Sequence, residues 1–292
     1  MITLTVRTED GVDLALHRLA ADPSANPRAV LLVHGAFTSH AVWLRGGAAG
    51  SGLAWFLSAR GFDVWLADLR HHGGSAREPR PRTWHFEDMI LHDAPALVAR
   101  VRRETGGAPL VWVGHSVGGA IGLAHSARDP AAAPAAIVAL GTPGPVMGSL
   151  RRAMALLTIA TCRALGRFPA RAFRMGSEDE AALVLAEWMA WNARGRWVGA
   201  DGTDYLAALG RVRTPFLAVA GAGDRVFAPA DACRRLIERA GAESKTFVVA
   251  GPGLDHRGLL LDARAGEQCW PLVADWIARL PSPARPPARM TP

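Results

Sequence analysis

Three side chains of this 292-residue chain could together activate a nucleophile: Ser116, Asp224 and His256. A serine hydroxyl attacks a carbonyl carbon readily only when a neutral imidazole removes its proton, and the imidazole needs a carboxylate that fixes its tautomer and stabilises the cation that forms. Each residue lies just past a run of residues that is typical of a parallel strand, in the chain order Ser, Asp, His. Because the carboxyl ends of parallel strands share one edge of a sheet, we expect the three side chains to meet there. The pattern predicts covalent catalysis at an acyl group.

Each of these residues also has a simpler interpretation. Asp224 could cap a turn, and His256 could be a loop histidine with its hydrogen bonds satisfied. Asp255 precedes His256 and competes for the role of the acid. Adjacent residues on an extended segment usually point apart, so Asp224 is the preferred partner of the histidine.

The serine occurs in Gly114-His115-Ser116-Val117-Gly118, between an apolar run at 110–113 and a segment with helical spacing. This order predicts a strand, a sharp turn and a helix, with the Ser116 hydroxyl standing above the sheet. Glycines at 114 and 118 fit such a turn, because larger side chains would collide where the strand and the helix pack. The five-residue motif alone is not specific, since a flexible glycine-rich turn could have the same sequence.

Two backbone N–H groups are predicted to stabilise an oxyanion. Val117 N–H opens the helix after the serine. The second donor is expected in the loop after the strand predicted at 29–33, which ends in His34-Gly35; Ala36 N–H is the first choice and Phe37 N–H the next.

Substrate contacts are expected from Phe37 and His115 beside the nucleophile and from Trp188 and Trp191 in a helical insertion at 144–211. This insertion breaks the alternation of strands and helices and is interpreted as a lid over the strand ends. Aromatic residues at helical spacing are often only core residues, so a role of this segment as additional core stays open.

The overall pattern predicts an α/β fold: a mostly parallel central sheet flanked by helices, opened by an antiparallel hairpin around Glu9-Asp10-Gly11. Residues 1–143 and 212–280 are expected to form the core domain, 144–211 the helical cap, and the proline-rich 281–292 a disordered tail. A helical pattern runs from Thr83 to Glu104, with Asp93 as the expected N-cap of its second part.

Composition excludes several classes of function. The net charge of +7 comes almost entirely from arginines, which are scattered along the chain, so no nucleic-acid partner is expected. Three distant cysteines argue against a disulfide framework and a structural zinc site. No apolar stretch reaches the length of a membrane span, no stable membrane insertion is expected, and a soluble cytoplasmic protein is predicted. The oligomeric state is left open.

No cofactor or metal is expected from the motifs. The glycine-rich segment 46–52 matches neither a Walker A loop nor a dinucleotide fingerprint. Adjacent His71 and His72 could suggest a metal, but no third ligand follows at a usable spacing, so a turn held by hydrogen bonds of Asp68 and Arg70 is favoured.

Taken together, these motifs resemble the α/β-hydrolase superfamily, in particular the capped, lipase-like esterases related to monoglyceride lipases and to serine aminopeptidase-like hydrolases. The resemblance covers residues 2–280 apart from the insertion and rests on His34-Gly35-Ala36, Asp68-x-Arg70-x-x-Gly73-x-Ser75, Gly114-His115-Ser116-x-Gly118-Gly119, Gly223-Asp224-x-Val226 and Asp255-His256. It implies Ser116 as the nucleophile, His256 as the base, Asp224 as the acid, and Ala36 with Val117 as the oxyanion hole.

The function expected from this resemblance is hydrolysis of carboxylic esters with an apolar acyl or alcohol part, through an acyl-enzyme. A thioesterase, an acyltransferase, or a cofactor-free haloperoxidase or C–C hydrolase would use the same triad, and a non-catalytic binding module would share the fold. The sequence does not separate these alternatives.

Overall fold

The computed structural model describes residues 1–19, 28–47, 52–77, 83–145 and 148–281. Residues 282–292, which make up nearly all of the predicted disordered tail, lie outside the described residues, so that expectation is not tested.

A central sheet forms the framework of the fold. The strands are β1 (Ile2–Arg7), β2 (Asp13–Arg18), β3 (Ala29–Val33), β4 (Asp63–Ala67), β5 (Leu110–His115), β6 (Ala136–Leu140), β7 (Arg167–Phe168), β8 (Glu180–Ala181), β9 (Phe216–Gly221) and β10 (Lys245–Ala250). Eight of them form the central sheet, in the order β1-β2-β4-β3-β5-β6-β9-β10. The pairings of β1 with β2 and of β2 with β4 are antiparallel, and the remaining pairings of this sheet are parallel. A further two-stranded antiparallel sheet joins β7 and β8.

Strands β3 and β6 are apolar and buried at every position because both faces of the sheet are covered. Along β5, Leu110 and Trp112 belong to one hydrophobic core, while Val111 and Val113 belong to the core on the opposite face. The predicted α/β-hydrolase architecture is thereby confirmed in its main element, a mostly parallel sheet between two layers.

Helices provide the covering layers. They are α1 (Leu53–Ser58), α2 (Phe86–Asp88), α3 (Ala94–Glu104), α4 (Val117–Arg128), α5 (Ser149–Leu165), α6 (Ala182–Arg194), α7 (Tyr205–Ala208), α8 (Ala230–Arg239), α9 (Gly258–Leu261), α10 (Ala265–Gln268) and α11 (Trp270–Arg279). Helices α3 and α4 contribute to the core on one face of the sheet, and α1 and α11 to the core on the other.

The elements α5, β7, β8, α6 and α7 lie between β6 and β9, where the helical insertion is predicted. Its longest helices, α5 and α6, pack against each other. The boundaries of a separate cap at residues 144 and 211 stay a prediction.

Asp93 does not cap a helix, contrary to the sequence expectation. A π-helical turn, Met89–Asp93, runs directly into α3, and the side chain of Asp93 makes no cap hydrogen bond. Asp93 is instead fully buried and accepts from the Arg70 guanidinium at 2.7 Å and 2.9 Å. The buried guanidinium of Arg70 requires a carboxylate partner, and this pairing outweighs the preference of an aspartate for capping a helix.

Candidate active site

Ser116 sits in a strained turn between β5 and α4. Its backbone has φ 52° and ψ −121°, a conformation that costs free energy for a residue with a side chain. Two hydrogen bonds hold the turn: Ser116 N–H donates to Leu140 O at 2.8 Å, and the Thr142 hydroxyl donates to Ser116 O at 2.9 Å. These hydrogen bonds therefore fix the position of Ser116 at the carboxyl end of β5.

Glycines at 114 and 118 are required by close approach, as the motif predicts. A Cβ atom on Gly114 would lie 2.3 Å from Gly119 N, and one on Gly118 would lie 2.4 Å from Val33 O. Neither position has room for a side chain, so the turn can form only with glycine at both sites.

The structure places Asp224, rather than Asp255, at the histidine. His256 Nδ1 lies 2.7 Å from Asp224 Oδ2, whereas Asp255 accepts a hydrogen bond from the backbone of Gly258 at 2.6 Å. Asp224 is buried and also accepts from backbone N–H groups of the following turn. Burial alone would raise the pKa of Asp224, but the hydrogen bond and charge of His256 and these N–H groups outweigh it and lower the pKa below its ordinary value. Asp224 is therefore a stable carboxylate at neutral pH.

His115 attaches the loop of His256 to the serine turn. His115 Nε2 donates to the backbone carbonyl of His256 at 2.9 Å, and the two rings are 4.7 Å apart. Burial, followed by the charge of His256, lowers the pKa of His115 to about 3, so His115 is neutral. The Ser116 hydroxyl makes no hydrogen bond to another described residue. Catalytic contacts of this kind often form only when substrate is bound.

Ala36 and Val117, the predicted oxyanion residues, line one small apolar pocket together with Trp188 and Glu180. Its volume of about 10 Å³ is roughly that of one water molecule. Val184, Leu185 and Trp188 of α6, in the predicted insertion, form part of its lining. A larger cavity of about 430 Å³ lies between α5 and α6. Neither the predicted triad nor Ala36 and Val117 line that cavity, whereas Ala36 and Val117 line the small pocket.

The other predicted substrate contacts lie in different surroundings. Trp191 packs in the interior against Phe86 and Tyr205, with ring separations of 5.5 Å and 5.6 Å, and it does not line the pocket. Phe37 stacks on Phe168 at 5.5 Å. Phe37 N–H donates to Glu180 Oε2 at 3.3 Å, so Ala36 N–H stays the preferred candidate for the oxyanion donor of that loop.

A buried ion pair beside the pocket was not found by sequence reasoning. His72 Nε2 lies 3.2 Å from Glu180 Oε2, and His72 Nδ1 donates to the carbonyl of Arg70. Since a carbonyl and a carboxylate can only accept, both ring nitrogens of His72 carry protons. Burial would lower the pKa of His72, but the charge and hydrogen bond of Glu180 outweigh it and raise the pKa. The pair links the helical insertion, through β8, to the turn after β4.

This ion pair predicts a pH-dependent contribution to stability. The raised pKa of His72 gives stability that is present below about pH 6.5 and is lost as pH rises through its folded pKa; the lowered pKa of Glu180 gives stability that is lost as pH falls below its ordinary range. We expect Glu180→Gln to lower Tm most near pH 6 and progressively less toward pH 9, measured by scanning calorimetry. Glu238→Gln, on the exposed face of α8, is the control. A deficit for Glu180→Gln that stays constant with pH would contradict the ion pair.

Among the described residues, one group of three side chains could hold a metal ion: His17, His40 and Asp68. None of them belongs to the predicted triad.

No described helix is both long and apolar enough to cross a bilayer.

Residues 25–260 match the Hydrolase_4 family, described as serine aminopeptidase, S33. The chain belongs to this family. The match includes Ser116, Asp224 and His256, together with the helical insertion.

The chain is similar in sequence to a lipase and similar in fold to an esterase and a monoacylglycerol lipase. It is 32% identical over 137 residues to lipase member N of Mus musculus, a match that covers 43% of this chain and 34% of the relative, so only about a third of that lipase is spanned. A solved thermophilic esterase from Thermogutta terrifontis matches with a TM-score of 0.67 and 18% identity, covering 95% of this chain and 98% of that one. The monoacylglycerol lipase of Paleococcus ferrophilus matches with a TM-score of 0.63 and 17% identity, covering 90% and 98%. The sequence match to the lipase spans part of each chain, and the two solved structures support the shared fold.

Proposed function

We propose that this chain is a serine hydrolase that cleaves carboxylic esters with an apolar acyl or alcohol part through an acyl-enzyme. The observation that carries the proposal is the 2.7 Å contact between His256 and Asp224, on a loop that His115 ties to the strained Ser116 turn. A fold analogy alone would not distinguish an enzyme from a binding module, whereas this set of side chains has a specific chemical use.

In the proposed reaction His256 Nε2 removes the Ser116 hydroxyl proton while Oγ forms a bond to the ester carbonyl carbon. Asp224 keeps the proton on His256 Nδ1 and stabilises the imidazolium that results. Ala36 N–H and Val117 N–H donate to the oxyanion. The tetrahedral intermediate then collapses, the C–O bond to the alcohol breaks, and His256 returns its proton to the departing alkoxide. Water, activated by His256, hydrolyses the acyl-enzyme.

The apolar surroundings support an apolar substrate. Apart from His34, His72 and Glu180, the side chains around the pocket are apolar, including Leu69, Met89 and Val184. Burying an apolar acyl chain there is favourable by roughly 25 cal/mol per Å² of surface removed from water. The names of the lipase and esterase relatives agree with this assignment.

A panel of p-nitrophenyl esters of increasing acyl length tests the substrate class. We expect kcat/KM to rise from acetate to butyrate or hexanoate by about fourfold per methylene, because each buried CH₂ contributes about 0.8 kcal/mol. Parallel assays with the corresponding thioesters separate an esterase from a thioesterase. A flat or falling profile would contradict an apolar acyl pocket.

The role of Trp188 is tested with the same panel. Trp188 lines the pocket beside Val117, so we expect Trp188→Ala to flatten the rise with acyl length while changing acetate hydrolysis far less. Trp191→Ala is the matched control, since Trp191 is a buried tryptophan of the same helix that does not line the pocket. Equal flattening in both variants would show that the effect comes from loosened packing of α6 and not from substrate contact.

A further inference from the structure

His17, His40 and Asp68 point their polar atoms at one another on the hairpin side of the sheet. His17 lies on β2, His40 begins the 3₁₀ turn His40–Leu44 that follows β3, and Asp68 follows β4. His17 Nε2 lies 3.2 Å and His40 Nδ1 lies 2.8 Å from the same oxygen, Asp68 Oδ2. We propose that these three side chains form a binding site for a divalent transition metal, best suited to Zn²⁺.

The donor set and its dimensions fit this ion. Zn²⁺ is bound by imidazole nitrogens and carboxylate oxygens at about 2.0–2.2 Å, and a tetrahedral arrangement places neighbouring ligand atoms about 3.3 Å apart. The two histidine-to-carboxylate distances of 3.2 Å and 2.8 Å are close to that spacing, and one ligand atom from each residue lies within 4.8 Å of the other two. Small side-chain movements suffice to admit the ion.

Hydrogen bonds around the cluster orient the ligands. Thr3 Oγ1 lies 2.9 Å from His17 Nδ1, which leaves Nε2 directed at the cluster. Asp68 is held by backbone N–H groups of His40 at 2.7 Å and of Gly74 at 2.8 Å. Partners of this kind fix the tautomer of a metal-binding histidine and the position of a ligating carboxylate.

Exposure and charge are also suitable. The side chains of Asp68 and His17 are 0% and 7% exposed, while that of His40 is 19% exposed, so an ion can approach from the His40 side and keep a water as its fourth ligand. Arg70, two residues after Asp68, is already paired with Asp93 and Asp10. Among the described residues, the side-chain partners of the Asp68 carboxylate are therefore the two imidazoles, whose rings lie 3.9 Å apart.

Such an ion would connect three segments that are distant in sequence. It would join the β1–β2 hairpin to the end of β4 and to the turn that follows the loop of Ala36. Because the unfolded chain does not bring these ligands together, binding would stabilise the folded state. The site is independent of the proposed hydrolase function.

The test uses the full chain after treatment with a chelator. We expect calorimetric titration with Zn²⁺ to show one site per chain with a Kd below about 10 µM, and Co²⁺ to give the visible absorption of a tetrahedral complex. At a free Zn²⁺ concentration of 100 Kd, Tm should rise by about 5 °C. His40→Gln and His17→Gln should each weaken binding by more than about 100-fold, and Thr3→Val by about 10- to 100-fold.

Two controls separate this site from others. His85→Gln removes a half-exposed histidine elsewhere, and His256→Gln removes the histidine of the proposed triad; both should retain full Zn²⁺ binding. Circular dichroism establishes that each variant is folded. The proposal is overturned if Zn²⁺ and Co²⁺ do not bind, which would make the cluster a hydrogen-bond network only, or if binding survives in folded His40→Gln and His17→Gln.

Discussion

Replacing Ser116 with alanine is expected to lower kcat for ester hydrolysis by about 10⁴- to 10⁶-fold and to leave the fold intact. The hydroxyl makes no hydrogen bond to another described residue, so its loss breaks no hydrogen bond among these residues. Alanine must still adopt the strained backbone of the turn, with φ at 52°, but it does so at no greater cost than serine. Steady-state kinetics with a p-nitrophenyl ester and a thermal melt measure the two effects.

Ser126→Ala is the matched control for this substitution. Ser126 is a buried serine on α4, ten residues after the nucleophile, and its hydroxyl donates to Gly122 O. We expect this variant to lose some stability and to retain activity. A Ser116→Ala protein that keeps more than a few per cent of the activity would disprove the assignment of the nucleophile.

Asp224→Asn is expected to lower kcat by about 10⁴-fold, the second large effect. The amide can donate where the carboxylate only accepts, so His256 would be held in the wrong tautomer and its cation would lose a stabilising charge. The same change removes the negative charge that now interacts with His256 at 2.7 Å. Kinetics at saturating substrate measure the loss.

The control is Asp255→Asn, which makes the same replacement of a carboxylate by an amide at the neighbouring aspartate. Asp255 accepts from Gly258 N–H, and an asparagine oxygen can accept in its place, so a loss of less than about tenfold is expected. The reverse outcome, with Asp255→Asn inactive and Asp224→Asn active, would refute the acid assignment.

Much of the sheet was predictable from sequence because its signals are local. Continuous apolar runs such as 29–33 and 216–220 form strands buried on both faces, and the hairpin appears as alternation on either side of a glycine turn. The proposed triad followed from the same signals, since Ser116 directly follows β5 and Asp224 lies in the turn after β9. Parallel pairing then brings them to one edge.

Contacts between distant segments were not predictable in this way. His72 and Glu180 are 108 residues apart, and His17, His40 and Asp68 come from three different segments, so no spacing rule links them. Asp93 shows the same limit, because its burial against Arg70 overrides a local capping preference. The two tryptophans of α6 lie one helical turn apart, and the sequence pattern does not distinguish them. In the structure Trp188 lines the pocket, whereas Trp191 packs in the interior.

The most direct test of the proposed mechanism is covalent labelling with a fluorophosphonate, followed by intact mass measurement and peptide mapping. We expect one adduct per chain, located on Ser116, and none in Ser116→Ala. We also expect much slower labelling of Asp224→Asn, because the probe reacts with a serine that the His256–Asp224 pair has activated. A protein that stays unlabelled would contradict this mechanism and favour a binding module of the same fold, whereas an adduct on another residue would refute Ser116 as the nucleophile.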